Sequence, residues 1–222
     1  MISLKNRLFK IHESLKFIGG SLKGELPEQL MTLKHLNPDD CVLELGGSCG
    51  RNSCVINYIL KNKKNHVVVE PSKRELASLK NNRDNNNLAY QIENSAISDK
   101  PLFAHGWRTF QVERNGSVPV NVVTFDEFKM KYNLIFTAII IDNEGNFVDM
   151  LKAFPNILEN IKLIVIEHDF NSLDDINYFN KTLTDNNFKL VDKMLKTDEY
   201  CPGEKWPCGV IEDPIFVSVW KK

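Results

Sequence analysis

The sequence predicts an α/β fold built on a mostly parallel sheet with helices on both faces. Short apolar strands alternate with helical patterns along most of the chain, and a glycine-rich turn follows the first strand. The strands are apolar throughout rather than at every second residue, so both faces of the sheet have to be covered, as in parallel sheets. A chain of 222 residues is long enough to bury one such core.

The first half of the chain begins with a predicted helical segment, residues 1–36, in which apolar side chains recur every three or four residues. A turn at 37–40 then leads into the main domain, residues 37–222. Strands are predicted at 41–45, 66–70 and 88–93, with helices at 51–61 and 73–84 between them.

The alternation lapses near residues 105–124, where an inserted β-hairpin is predicted. Its strands would be 107–113 and 117–125, joined by a turn at Asn115–Gly116. The alternation then resumes, with helices at 125–131, 147–153 and 172–185, strands at 138–141 and 163–166, and closing strands near 188–195 and 214–220.

Composition narrows the functional class. The net charge is −1, so no basic field attracts nucleic acid, and no nucleic-acid partner is expected. No apolar run reaches the roughly 20 residues that span a bilayer, and the first residues lack the features of a signal peptide. The five cysteines are an odd number without metal-ligand spacing. We expect a cytoplasmic protein.

The turn Gly46-Gly47-Ser48-Cys49-Gly50 carries the strongest functional signal. It joins a buried strand to a helix whose first N–H groups would face a ligand. Four polar side chains, Glu44, Glu70, Asp142 and His168, follow predicted strands. The carboxyl ends of parallel strands share one edge of the sheet, so these residues predict one site there.

The acid before the first glycine bears on the identity of the ligand. A carboxylate at Glu44 would repel the pyrophosphate of a dinucleotide, and no Lys-Ser/Thr pair completes a phosphate-binding loop. S-adenosylmethionine (SAM) has no phosphate and carries an ammonium and a sulfonium, which suit Glu44. Glu70 would accept hydrogen bonds from the ribose hydroxyls. SAM is therefore favoured over NAD, and a nicotinamide-dependent oxidoreductase is the alternative.

Seven short blocks also resemble a known family, in order and spacing. They are VLELGGSCGRNS, VVVEPS, LKNNRDNNN, SAIS, VVTFDEF, IIIDNEG and IVIEHDF. Together, over about residues 41–170, they resemble the FkbM-type SAM-dependent methyltransferases. The resemblance implies a Rossmann-like class I methyltransferase fold with a seven-stranded sheet and an antiparallel C-terminal edge hairpin. It also implies O-methylation of a hydroxyl on a sugar, glycan or other small molecule.

The resemblance places the methionine end of SAM at Glu44, Gly46 and Gly50, and the adenine at residues 94–96. The full expected SAM-binding set is Glu44, Gly46, Gly47, Ser48, Gly50, Asn52, Glu70, Pro71, Ser72, Asn94, Ser95, Ala96 and Asp142. Two positions depart from the family pattern. Ser48 replaces the middle glycine, and Ile140 stands where the family has a lysine. The second departure raises the alternative of a non-catalytic SAM- or glycan-binding relative.

Catalysis is expected to involve Asp142, Glu144 or His168 as a base or hydroxyl-orienting group. His168 titrates in the useful range, although it would equally serve as a hydrogen-bonding cap of its strand. Asp142 would alternatively bind the SAM ammonium. Metal dependence is not favoured; if Mg²⁺ were used, Asp142, Glu144 and Asp169 would be its oxygen ligands.

The acceptor is expected to be a small molecule or glycan. Trp107 and Trp206 would either stack on a sugar or fill gaps in the packing, and packing is favoured. The chain is also compatible with being one module of a longer glycan-modifying polypeptide.

Overall fold

The structure, a computed structural model, describes residues 3–199, 210 and 212–222. Its N-terminal segment is not one continuous helix. Helix α1 (Leu4–Ser14) is followed by a break, a 3₁₀ turn (Leu22–Glu25) and helix α2 (Leu26–His35). Gly19 and Gly20 lie in the break with φ of 90° and 120°, values that favour glycine.

The elements that follow are listed here in chain order. The first half contains β1 (Val42–Leu45), α3 (Arg51–Ile59), β2 (His66–Val69), α4 (Lys73–Asn85), β3 (Gln91–Glu93), β4 (Ala96–Ile97), β5 (Phe103–His105), β6 (Arg108–Phe110), β7 (Val118–Pro119) and β8 (Val122–Val123). The second half contains α5 (Phe125–Tyr132), β9 (Ala138–Ile141), α6 (Phe147–Ala153), a 3₁₀ turn (Pro155–Leu158), β10 (Leu163–Glu167), α7 (Leu173–Asp185), β11 (Lys189–Leu195) and β12 (Ile215–Lys221).

Within the described residues, seven strands form the main sheet in the order β11-β12-β10-β9-β1-β2-β3. The strands from β10 to β3 are parallel, and β12 runs antiparallel to both β10 and β11. The predicted parallel sheet with an antiparallel edge hairpin is confirmed. The chain leaves β1 toward β2 on one side and returns to β9 on the other, so the strand order reverses between β1 and β9. This reversal is where open α/β sheets bind their ligands.

Both faces of the sheet are buried, as the continuous apolar strands predict. Leu43 and Leu45 of β1 point into a cluster that contains Phe128, Phe147 and Phe179 from the helices on one face. Val42 points the other way, into a second cluster with residues of α2 and α3. The helices α1, α2 and α3 pack together through a third cluster. No helix in the described part of the chain has the length and apolar character needed to cross a membrane.

The insertion near 105–124 pairs differently from the prediction. The turn at Asn115–Gly116 is present, with the Ser117 N–H bonded to the Arg114 carbonyl at 2.9 Å. The strands on either side of it do not pair with each other, however. Both β6 and β7 pair antiparallel with β5, which lies between them in a small three-stranded sheet. The tight reversal is at residues 106–107, and β8 instead pairs in parallel with β4.

Candidate functional site

A cavity of about 680 Å³ lies at the carboxyl ends of the central strands. The first residues beyond β1, β2 and β9, together with the last residue of β10, all line it, so the sheet supplies its floor. The N-terminal segment supplies one wall and the inserted sheet another. Acidic side chains outnumber basic ones in the lining, which favours a neutral or cationic ligand.

The glycine turn shapes the cavity through its backbone. Gly46 has φ 88°, and a Cβ there would collide with the Asp142 carbonyl of the neighbouring strand. Ser48, at φ 45°, also lines the cavity. Gly47 packs against Val68 and Gly50 against Leu79, so these two glycines hold the turn from behind and do not line the cavity.

Glu70 follows β2 and lines the cavity, where two backbone N–H groups fix its carboxyl group. Its Oε2 accepts the Ser48 N–H at 2.7 Å, and its Oε1 accepts the Ser72 N–H at 2.6 Å. Burial raises the pKa of Glu70, although the two N–H groups oppose the increase. A carboxylate oxygen has room for a second hydrogen bond, so each oxygen retains an acceptor site for a ligand hydroxyl. The pair of oxygens suits the two hydroxyls of a ribose.

The expectation that Glu44 faces the ligand is wrong. Glu44 is only 2% exposed, does not line the cavity, and bonds to His66 Nε2 through its Oε2 at 2.8 Å. The reason is the direction of the side chain and not the extent of the strand, since the predicted strand at 41–45 also contains Glu44. The strand continues to Leu45, so Glu44 lies inside it, and its side chain points to the same face as Val42.

The remaining residues of the expected SAM-binding set, among them the adenine-binding residues 94–96, divide into two groups. Pro71, Ser72 and Ala96 line the cavity, next to apolar side chains that were not predicted, Ile97 and Leu102. Asn94 and Ser95 do not line it. Asn94 donates to the Glu70 carbonyl at 2.7 Å, and Ser95 donates to Glu93 at 3.0 Å. Asn52 also lies outside the cavity lining, where its amide donates to Thr32 at 3.5 Å.

Three carboxyl groups converge beyond β9 and β10. Oxygens of Asp142, Glu167 and Asp169 lie within 4.8 Å of one another. Burial raises the pKa of Asp142 to about 7, helped by the charges of Glu25 and Glu144 and opposed by the hydrogen bond from Glu167. Burial, reinforced by the charge of Asp142, also raises the pKa values of Glu167 and Asp169. The group therefore holds protons at neutral pH, with Asp142 the most readily ionised of the three.

Glu144 stands apart from this group. It lines the cavity but pairs with Arg108 of β6 at 3.3 Å. Its backbone is left-handed at φ 57°, and Gly145, at φ 85°, has no space for a Cβ against Asp169. The oxygen set expected for a metal, Asp142, Glu144 and Asp169, is therefore not the set that the structure brings together.

His168, which was expected to act as a base, lies outside the cavity and is only 2% exposed. Its Nδ1 bonds to Asp213 and its Nε2 to Ser218, each at 2.7 Å. Burial raises the pKa of Asp213, but the contact with His168 outweighs it and the net shift is downward. With both ring nitrogens engaged between β10 and β12, His168 ties these strands together, and its surroundings do not support a catalytic base.

The N-terminal segment supplies cavity residues that the sequence analysis missed. Glu25 and Glu28 both line the cavity. Arg51, the first residue of α3, bonds to Glu25 at 2.8 Å and to the Ser21 carbonyl at 3.0 Å, which fixes the segment against the glycine turn. In the sequence, these two acids stand close to Pro27 at the start of α2 and could have been recognised there. The prediction treated residues 1–36 as a separate helical segment and assigned them no function.

Trp107 lies at the reversal between β5 and β6 and lines the cavity. It is 67% exposed, and the Arg74 guanidinium lies 4.8 Å from the centre of its ring. The expectation that Trp107 fills a gap in the packing is therefore wrong. Trp206 lies outside the described residues.

Solved structures with the same architecture include methyltransferases. An O-methyltransferase from Bacillus cereus, in complex with S-adenosylhomocysteine (SAH), has a TM-score of 0.54 at 13% identity, over 100% of this chain and 92% of that one. A ribosomal protein L11 methylase from Lactobacillus delbrueckii subsp. bulgaricus has a TM-score of 0.54 at 10% identity, over 92% and 80%. A protein of the NADB-Rossmann superfamily from Streptococcus agalactiae has a TM-score of 0.53 at 14% identity, over 92% and 69%.

Neither a protein-family model nor a curated protein matches the sequence. In its described residues this chain has a mostly parallel seven-stranded sheet, an antiparallel edge hairpin and a cavity at the point where the strand order reverses. The chain has the Rossmann-like fold of the class I SAM-dependent methyltransferases.

Proposed function

We propose that the chain is a SAM-dependent methyltransferase that methylates a hydroxyl group of a sugar or glycan. The observation that carries the proposal is the Glu70 carboxylate, which is held in the cavity by the Ser48 and Ser72 N–H groups. Both of its oxygens retain acceptor capacity, and apolar residues line the cavity beyond it. A carboxylate that accepts two vicinal hydroxyls beside an apolar slot suits an adenosine.

The remaining lining fits the rest of SAM. Gly46 and Ser48 bring the backbone of the glycine turn to the ligand, and no lysine lies in this turn to bind a phosphate. Asp142, Glu25 and Glu28 line the adjoining wall with carboxyl groups, which suit a cationic ligand and would repel an anion when ionised. A dinucleotide would have to place its pyrophosphate against the same acids, so these residues favour SAM over NAD.

SAM supplies a methyl group that is activated by attachment to a positively charged sulfur. The protein has to place an acceptor hydroxyl in line with that methyl group and to accept the hydroxyl proton. Asp142 lines the cavity, and its pKa of about 7 allows it to be ionised at neutral pH. Glu167, in its protonated form, donates a hydrogen bond to Asp142 and keeps it oriented.

The wall opposite the glycine turn suits a carbohydrate. Trp107 presents an aromatic surface at the rim, and Gln111, Asn146 and Lys152 offer hydrogen-bonding groups within the lining. Aromatic rings pack against the apolar face of a sugar while polar groups bind its hydroxyls. The resemblance of the sequence blocks to the FkbM-type enzymes supports the same class of acceptor. The acidic lining disfavours a nucleic-acid acceptor, whose phosphates it would repel.

The test is incubation of the protein with SAM labelled in its methyl group and with a panel of neutral sugars and glycans. We expect label in the acceptor, and removal of the label by reagents that cleave methyl ethers. Binding of SAM without turnover on any acceptor would favour the non-catalytic alternative. Binding of NAD in place of SAH would favour the oxidoreductase.

A further inference from the structure

Glu28 is a buried acid in the cavity wall that the proposed reaction does not use. Its side chain is 5% exposed and lines the cavity, and its Oε2 has no hydrogen-bond partner. A buried carboxyl oxygen without a hydrogen-bond partner is unfavourable. An unpartnered oxygen in a cavity wall is satisfied when the ligand supplies a donor.

Glu44, the acid that the sequence predicted to face the ligand, does not line the cavity. Its side chain is bonded to the buried His66. Near Gly46, the carboxyl groups that line the cavity are those of Asp142, at the end of β9, and of Glu25 and Glu28, at the start of α2. The N-terminal segment thus provides the cavity-lining carboxyl groups that strand β1 does not.

We infer that Glu28 binds the ammonium group of the methionine moiety of SAM. The inference rests on the proposed function and names the residue that recognises this end of the donor. An ammonium has three N–H donors and no acceptor, so it can supply the donor that the Glu28 Oε2 lacks. Bonds between an ammonium and a carboxylate are among the strongest hydrogen bonds in proteins.

The neighbours of Glu28 agree with this role. Burial raises the pKa of Glu28, and the charges of Asp142 and Glu25 raise it further, while that of Arg51 lowers it. Glu167 faces it from the end of β10. An uncharged Glu28 is thus favoured in the empty cavity, and a ligand ammonium supplies the positive charge that allows the carboxylate to form.

The test compares two ligands by calorimetric titration. SAH carries the ammonium, whereas 5′-methylthioadenosine has the same adenosine and thioether but no amino-acid group. Glu28→Gln keeps the size of the side chain and resembles its uncharged form, so folding should be retained. Glu13→Gln, at an exposed glutamate of α1, is the matched control.

We expect Glu28→Gln to weaken SAH binding about tenfold, in line with the loss of a charge-assisted bond, and to leave methylthioadenosine binding within twofold. Glu13→Gln should change neither. Unchanged SAH affinity in Glu28→Gln would overturn the assignment of Glu28 alone. Equal losses for both ligands would overturn it too, since they would indicate a structural role. Absence of SAH binding to the wild-type protein would overturn the proposed donor site itself.

Discussion

Two half-buried carboxyl groups, Asp142 and Glu167, lie side by side in the cavity wall at the ends of neighbouring strands. Asp142 and Glu167 share a hydrogen bond, and burial raises the pKa of Asp142 to about 7. A base is most effective when its pKa lies near the working pH, because it is then both ionised and basic enough to accept the proton. The sheet places the two acids side by side, and burial gives Asp142 the pKa that the proposed role of base requires.

Asp142→Asn removes the base. The rate of methyl transfer in the wild-type protein should rise as the pH increases through about 7, because ionised Asp142 is the active form. The variant should lose at least about 100-fold in kcat and show a flat profile over the same range. Initial rates with saturating SAM between pH 5.5 and 8.5 check both expectations. A wild-type rate that is independent of pH, with a fully active variant, would exclude Asp142 as the base.

His168→Ala tests the structural role of the imidazole. Removal of the ring leaves the buried Asp213 and Ser218 without their partner, so we expect a loss of about 2–4 kcal/mol in the free energy of unfolding. The affinity for SAH and the rate per folded molecule should stay within about twofold of wild type. Urea unfolding and calorimetric titration measure these quantities. Intact stability combined with lost turnover would restore His168 as the base.

The strand ends could be found from the sequence, but the direction of each side chain could not. Glu70 follows β2 and faces the cavity, whereas His168 lies one residue beyond the equivalent position in β10 and Glu44 lies two residues before it, inside β1; both are buried. Because side chains alternate along a strand, a shift of one residue moves a side chain to the other face. Apolar patterns place a strand end only to within a few residues.

The inserted sheet forms one wall of the cavity, and this is the wall at which we propose that the acceptor binds. Arg108 of β6 bonds to Glu144 at 3.3 Å, and Gln111 bonds to Asp149 of α6 at 3.1 Å. These contacts hold the insertion against the main sheet and leave Trp107 exposed at the rim. An exposed aromatic ring in a cavity wall is more useful for binding than for packing.

Trp107→Ala should therefore affect the acceptor and not the donor. We expect the KM for a sugar acceptor to rise about five- to tenfold, as the ring is worth about 1 kcal/mol or more in contact with the ligand. The affinity for SAH should change less than twofold, and Trp107→Phe should recover part of the loss. Steady-state kinetics with varied acceptor concentration provide the measurement. A change confined to SAH affinity would place Trp107 on the donor side.

The pairing of the insertion illustrates what local signals leave out. Asn115–Gly116 is a strong turn signal, and the turn exists, but the strand that both neighbours pair with precedes them in the chain. A turn motif determines the local direction of the backbone and carries no information on a third strand. Glu28 was not predicted for a similar reason. Only the packing of α2 against the sheet brings this residue to the cavity, and local sequence patterns carry no information on that packing.

For the whole molecule, the buried acids make stability depend on pH. Asp142, Glu167, Asp169 and Glu28 have raised pKa values in the folded state, so the folded protein binds protons more tightly than the unfolded chain. Their contribution to stability is complete at low pH and is lost as the pH rises through about 7.

We therefore expect the Tm of the ligand-free protein to fall by several degrees between pH 6 and pH 8. Asp142→Asn should have a smaller decrease, because the variant has no charge to bury at that position. Asp213, whose pKa is lowered, acts at a more acidic pH and does not affect this interval. Thermal unfolding followed by circular dichroism tests the expectation. A Tm that rises over this interval in the wild-type protein would contradict it.

The overall architecture was the part most accessible from the sequence. Apolar strands such as Ala138–Ile141 are buried on both faces, so their composition alone indicates a covered parallel sheet. The position of the cavity followed from the same rule. The identity of the acids that face the ligand depended on contacts between segments far apart in the chain.

Calorimetric titration with SAH tests the central claim, that the cavity is a SAM site built around Glu70. The wild-type protein should bind one SAH per chain with micromolar affinity and should not bind NAD measurably. Glu70→Ala should weaken SAH binding at least about tenfold, since two hydroxyl contacts to a carboxylate are lost. The Glu13→Gln variant should bind like wild type. Wild-type binding of NAD without SAH, or equal SAH affinity in Glu70→Ala, would contradict the account.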